Sequence, residues 1–238
     1  MTETTFDFGT GPIAAHRHVN PSGRPGGWVA DESTVSKTAE IASSGSVGPR
    51  ASVGHGASVG DGASVGDGAE VGDGALVGDC ASVGDGAGVG NGAEVGDGAK
   101  IGYDASVGYG AKIGDGASVG PRALVGPRAS VGYGAKIGDG ASVGDCASVG
   151  DGAKIEKGDW WLTIGPQGSR NTILTVVWSF KKGELRWWVG CQKEISTKTL
   201  LARIASDHGD NDHAADYKHT IDFVLNHPGL ARVKGQRK

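Results

Sequence analysis

Val53-Gly-His-Gly-Ala-Ser-Val59-Gly-Asp-Gly-Ala-Ser-Val65-Gly-Asp-Gly-Ala-Glu-Val71 is the stretch that decides the fold. An aliphatic residue returns at every sixth position, and the register holds in both directions, from Val29 through Ile101, Ile113 and Ile137 to Ile155. From Ala51 to Ala153 an alanine also sits two residues before each of them. A period of six is neither that of a helix nor the simple alternation of a strand, and self-similarity this strict outranks local propensity. It suits a short strand followed by a corner. In Val53 to Ser58 the valine and alanine point inward and Gly54 and Ser58 outward. His55 and Gly56 make the corner, where glycine takes positive φ at no steric cost. Three units then close a triangular coil. Residues 33–158 give about seven coils, stacked roughly 34 Å high at about 4.8 Å each.

Composition narrows the class. Glycine is very high, at 45 of 238 residues, yet nearly all of it keeps phase with the repeat, so it reflects architecture and not a flexible tract. A formal net charge of −4 argues against general nucleic-acid binding. No apolar run is long enough to span a membrane. The start, Met1-Thr-Glu-Thr-Thr-Phe-Asp7, lacks the basic and apolar regions of a signal peptide. Cys80, Cys146 and Cys191 have neither disulfide nor metal-ligand spacing. The expectation is a reduced, cytoplasmic protein.

The repeat resembles the hexapeptide-repeat superfamily. That resemblance covers more than half the chain and implies a left-handed parallel β-helix that assembles as a homotrimer. It is specific for fold and not for function: many members are acyltransferases, some resemble carbonic anhydrases, and others have no known chemistry. Small outward residues, mostly serine, make flat faces that suit packing against copies.

On an eighteen-residue pitch the corners fall into three columns. The first holds Pro49, Asp67, Asp85, Tyr103, Pro121, Asp139 and Lys157; the second His55, Asp73, Asn91, Tyr109, Pro127 and Asp145. The third holds Asp61, Asp79, Asp97, Asp115, Tyr133 and Asp151. The aspartate stack reads as a solvated acidic edge, with a row of divalent-ion sites as the alternative. Residues 100–136 break the monotony. There Lys100, Tyr103, Tyr109, Lys112, Arg122, Arg128, Tyr133 and Lys136 put aromatic faces beside cations, as a phosphorylated ligand would require. The competing reading stacks Tyr103 on Pro121 and Tyr109 on Pro127, with no ligand.

The flanks read differently. Residues 1–28 are rich in glycine and proline and read as a loop and cap, with Trp28 covering the open end of the coil. His16 and His18 could converge on a metal at a threefold axis, but no metal is expected. The period ends at Gly158, and residues 159–238 read as a small α+β domain. Its elements are strands at Trp160–Ile164, Thr172–Phe180 and Leu185–Val189, a helix from Thr197 to Asp207 and one from His213 to Asn226. Gly165-Pro-Gln-Gly-Ser169-Arg170 is a turn that could cradle a phosphate or carboxylate. His208-Gly-Asp-Asn-Asp-His213 has metal-like residues, but they straddle a helix junction where caps are expected. Ala15-His-Arg-His18, Gly26-Gly-Trp-Val-Ala-Asp31, the array and the Gly-Pro-x-Gly-Ser-Arg turn together resemble phage and prophage proteins, which implies an accessory role, including one against host defence.

The function expected from sequence is a non-enzymatic, trimeric binding protein that captures a nucleotide-type ligand or a host protein, without a cofactor. The candidate binding residues are Ser169, Arg170, Trp161, Trp178, Trp187, Trp188, Tyr103, Tyr109, Lys112, Arg122, Arg128 and Tyr133. Acyl transfer is the alternative, with His55 as the lone imidazole in the coil; a structural spacer or virion component is a third. The coil carries one histidine and no inserted loop, which argues against catalysis.

Overall fold

The computed structural model describes residues 4–167, 172–189 and 192–235. Each hexapeptide places a two-residue rung on one of three faces. The first face is a ten-stranded sheet: Thr5–Asp7 (β1), Pro12–Val19 (β2) and Pro25–Ala30 (β3), then the rungs Ser46–Val47, Ser64–Val65, Ser82–Val83, Lys100–Ile101, Ser118–Val119, Lys136–Ile137 and Lys154–Ile155. The second face runs from Thr34–Val35 to Ser142–Val143, and the third from Glu40–Ile41 to Ser148–Val149, with seven rungs each. The result is a parallel β-solenoid of about seven turns, as the period predicts.

The register is a strict eighteen residues. Val47 pairs with Val65 and Val65 with Val83, all parallel. Ser64 N donates to Ala81 O at 3.0 Å and Gly66 N to Val83 O at 2.8 Å, so each coil bonds the one above. The inward Val, Ile and Ala side chains form one continuous column whose buried members are at most 4 % exposed. Removing a valine side chain from water contributes about 1.5–3 kcal/mol, but each coil gains this only against its neighbours. Both ends therefore have to be closed.

At the N-terminal end the segment read as a loop makes strands. β1, β2 and β3 are antiparallel, and β3 joins the first face in parallel. Trp28 was expected to cover the open end, but it pairs with Ser46 in the outward slot of the register while Val29 pairs with Val47 in the inward slot. Its ring lies instead between Phe6, stacked at 5.2 Å, and the Arg17 guanidinium at 4.6 Å. Closure falls to two buried polar side chains. The Asn20 amide donates to Ile41 O at 3.0 Å and accepts from Ile41 N at 2.9 Å, replacing a missing coil. His18 Nε2 lies 3.0 Å from Ala39 O.

The C-terminal end is closed by a four-stranded antiparallel sheet in sequential order: Trp160–Gln167 (β4), Thr172–Ser179 (β5), Glu184–Val189 (β6) and Gln192–Ser196 (β7). Strand alternation gives it two apolar faces. Trp161, Val177 and Trp188 pack on the coil core. Leu174, Val176, Leu185 and Trp187, with Trp160, Leu162, Ile164 and Trp178, pack on the helices. Gly150 N donates to Thr175 Oγ1 at 2.9 Å, and Thr163 Oγ1 donates to Ser148 O. Helix α1 (Thr197–His208) is capped by Ser196 and stopped by Gly209. Helix α2 (Asp212–Leu225) is capped by Asn211, whose side chain accepts from Ala214 N. Pro228 opens a third helix, α3 (Pro228–Gly235), at a position where its missing N–H is not needed.

Candidate functional site

The corners come first, because the candidate residues sit on them. In the aspartate columns Asp73, Asp79, Asp85, Asp97, Asp115 and Asp151 turn back along the rod, each accepting a backbone N–H from the corner below. Asp61 N donates to Asp79 Oδ1 at 2.8 Å, Asp79 N to Asp97 Oδ1 at 2.8 Å and Asp97 N to Asp115 Oδ1 at 3.1 Å. His55 N donates to Asp73 Oδ1, Asp73 N to Asn91 Oδ1 and Tyr133 N to Asp151 Oδ1. The columns are thus hydrogen-bond ladders. No group of His, Cys, Asp or Glu suited to a metal is found among the described residues. Where a ladder residue stands above it, the glycine before the corner is required: a Cβ on Gly60 would lie 2.4 Å from Asp79 Oδ1.

Tyrosine and proline interrupt the ladder. Tyr103 sits below Pro121 and Tyr109 below Pro127, and proline offers no carboxylate to accept their N–H groups. Arg122 and Arg128 take the left-handed corner position with φ of 57° at both, a position filled by glycine in most coils. The Arg122 guanidinium lies 5.0 Å over the Tyr103 ring. Tyr103, Tyr109 and Tyr133 are 44 %, 59 % and 62 % exposed.

The topology divides the coil candidates between two places. Tyr103 and Arg122 lie on the corner between the first and second faces, and Tyr133 on the corner between the third and first, so all three border the first face around Ser118. Tyr109 and Arg128 lie on the corner between the second and third faces, with Lys112 on the third. Lys112 Nζ pairs with Glu94 Oε1 at 2.9 Å, one coil below.

The tryptophan candidates are used in packing. Trp187 is fully buried and its Nε1 donates to Thr197 Oγ1 at 2.9 Å. Trp188 is buried against the coil end, and Trp161 packs beside it half-buried. Trp178 packs toward the helices with Lys234 Nζ 4.9 Å over its ring. Ser169 and Arg170 lie outside the described residues. Near the helix junction, the His208 ring lies 5.8 Å from His213 and 5.9 Å from Tyr217.

Sequence reasoning gave no weight to the surroundings of His55. Its side chain is exposed on the second corner, and its ring has no hydrogen-bond partner among the described residues. On either side lies a shallow groove. One, of about 410 Å³, begins at Ser52 and Gly54 on the second face. The other, of about 590 Å³, begins at Ser58 and Gly60 on the third face and holds Leu76, Glu94 and Lys112. The signal available in the sequence was the position itself, between Ser52 and Ser58.

Comparison with known proteins rests on this geometry. The coil is a parallel β-solenoid built on a six-residue repeat. No family model and no curated protein matches the chain. Among solved structures it is similar to the acetyltransferase domain of PglB from Neisseria gonorrhoeae, at 25 % identity and a TM-score of 0.39, over 54 % of this chain and 53 % of that one. It thus spans about half the length of that domain. A putative acetyltransferase from Bacillus cereus is similar at 14 % identity and a TM-score of 0.39, over 86 % and 91 % of the two chains. A hexapeptide transferase family protein from Anaplasma phagocytophilum is similar at 16 % identity and a TM-score of 0.25, over 91 % and 95 %. At these scores the shared feature is the solenoid.

The expectation of a non-enzymatic chain is corrected by this comparison. The solved chains it is similar to are described as an acetyltransferase domain, a putative acetyltransferase and a hexapeptide transferase family protein, and none is described as a binding protein. No helix among the described residues is long and apolar enough to cross a membrane.

Proposed function

We propose that the chain is an acyltransferase of the hexapeptide-repeat kind, with His55 as the general base. The observation that carries this reading is the exposed His55 imidazole, on the corner that separates the two faces on which the grooves lie. An imidazole suits proton abstraction near neutral pH. The acceptor's hydroxyl or amine attacks the thioester carbonyl of the acyl donor and gives its proton to His55. The carbonyl–sulfur bond then breaks, and the departing thiolate takes up a proton. Acetyl coenzyme A is the donor to test first, since the PglB domain is described in complex with it. The homotrimer belongs to the same proposal: flat serine-rich faces allow a second copy to cover the grooves, and sedimentation should give three times the monomer mass.

The test is thiol release from acetyl coenzyme A across a panel of amine and hydroxyl acceptors. His55→Asn is the informative variant, because Asn91 occupies the same column and preserves the corner. Turnover is expected to fall by about 10²-fold or more, the usual contribution of a general base. Unchanged turnover in the variant, or no turnover with any acceptor, would sink the reading.

A further inference from the structure

Four rungs of the coil carry an outward lysine, and three of these share the first face: Lys100, Lys136 and Lys154. The outward glutamates of the rungs, Glu40, Glu70 and Glu94, are all on the other two faces. A chain of net charge −4 thus carries one cationic stripe. Among the described residues, only the upper end of the stripe is neutralised. Lys112, the fourth lysine, pairs with Glu94, and Lys154 pairs with Glu194 at 2.9 Å. For Lys100 and Lys136 no ion pair is found among the described residues.

Register fixes their spacing. Lys100 pairs with Ser118 and Ser118 with Lys136, so the two lysines flank one serine hydroxyl, roughly 10 Å apart at the backbone. Lys136 is also directly opposite Lys154, a like-charge arrangement that is destabilising on a sheet. These residues line a groove of about 490 Å³ along the first face. The Tyr103–Arg122 stack and Tyr133 stand on its bordering corners. Asp139 and Glu156 line its upper part, while Asp97 and Asp115 on the bordering corner have their carboxylates turned down the rod onto backbone N–H groups, so an anion fits best in the lower part, around Ser118.

We propose that the first face binds a phosphate-bearing small molecule, its phosphoryl oxygens held between the Lys100 and Lys136 ammonium groups and the Ser118 hydroxyl. Two flexible ammonium donors and a hydroxyl supply charge and hydrogen bonds to a group that rotates freely. The site is separate from His55, which lies on the corner away from this face, so the proposal stands independently of acyl transfer.

Calorimetric titration with ADP, pyrophosphate and adenosine tests it. ADP and pyrophosphate should bind, adenosine should not, and raising salt should weaken both anions. The Lys100→Ser/Lys136→Ser variant restores the residue found at Ser46, Ser64 and Ser82 on the same face, so its fold is retained. It should lose at least about tenfold in affinity per lysine, while Lys112→Ala leaves binding unchanged. Adenosine binding as well as ADP, neither anion binding, or full anion affinity in the double variant would each overturn the proposal.

Discussion

Asp79 Oδ1 accepts the backbone N–H of Asp61, one coil below, at 2.8 Å. The N–H points along the rod at a corner where no strand continues, so a side chain has to supply its acceptor. A carboxylate or an amide oxygen serves equally, as Asn91 does for Asp73. Asp79→Ala should therefore destabilise the chain by about 1 kcal/mol, while Asp79→Asn should be neutral or slightly stabilising, since it keeps the acceptor and removes charge from the column. Chelator or calcium should leave the melting temperature unchanged. Denaturant titration of the two variants checks this, and equal loss in both would show that charge matters more than the acceptor.

Two glycines on the coil should respond oppositely. A Cβ on Gly27 would lie 2.1 Å from Gly45 O, against backbone that cannot retreat, so Gly27→Ala should open the N-terminal closure and lower the melting temperature strongly. Gly88 occupies an outward rung position, has ordinary φ, and would meet nothing within 4 Å. Gly88→Ser gives that rung the usual residue and reduces the freedom of the unfolded chain. A gain of about 0.5–1 kcal/mol is expected, read from chemical unfolding.

The contrast shows what the repeat made legible. The six-residue period specified the rungs, the eighteen-residue pitch and the three columns, because each depends only on residues in fixed phase. The ladder donors were not legible: a corner aspartate looks the same whether it is solvated or turned onto a neighbouring N–H. Nor was the closure by Asn20 and His18, whose partners Ile41 and Ala39 are brought near only by the β2–β3 pairing. The tryptophans suggested a binding surface because one-sided burial was assumed. The terminal sheet is covered on both faces, by the coil and by the helices, and so Trp188 and Trp187 fall into different cores. In residues 100–136 the candidates were evident from composition, but their division between two corners required the fold.

The terminal sheet should act as the lid of the solenoid core. Trp188 and Val177 lie against the last coil, and without them Val149 and Ile155 would face water. A chain ending at Gly158 should self-associate through its bare end and open strand edges. Trp188→Ala in the full chain should cost about 3–5 kcal/mol, while Trp188→Phe, which removes an indole N–H that is buried without a partner, should cost much less. Light scattering of the truncated chain and unfolding of the two variants would decide. A monomeric, soluble truncation as stable as the full chain would contradict the lid.

Two carboxyls at this junction should give the acid limb of stability opposite slopes. Hydrogen bonds from Lys154 and then Lys182 hold the Glu194 carboxyl at about 2, below its ordinary 4.5. Its folded state thus binds fewer protons than the unfolded state, and stability rises with pH between about 2 and 4.5 and is lost as pH falls through that window. Burial raises the Asp159 carboxyl above 3.8, against N–H donation from Glu156 and Phe180. There the folded state holds its proton longer, so this contribution falls as pH rises from 3.8 to the higher folded value. The full Glu194 shift corresponds to roughly 3 kcal/mol. Lys154 and Lys182 are each 51 % exposed and screened by solvent, so about 1–2 kcal/mol is expected. Unfolding measured from pH 2 to 6 should show Glu194→Gln with a flatter low-pH limb than the native chain, and the difference should shrink in high salt. Parallel profiles would mean that the bridge between the last coil and β7 contributes nothing to holding the lid in place.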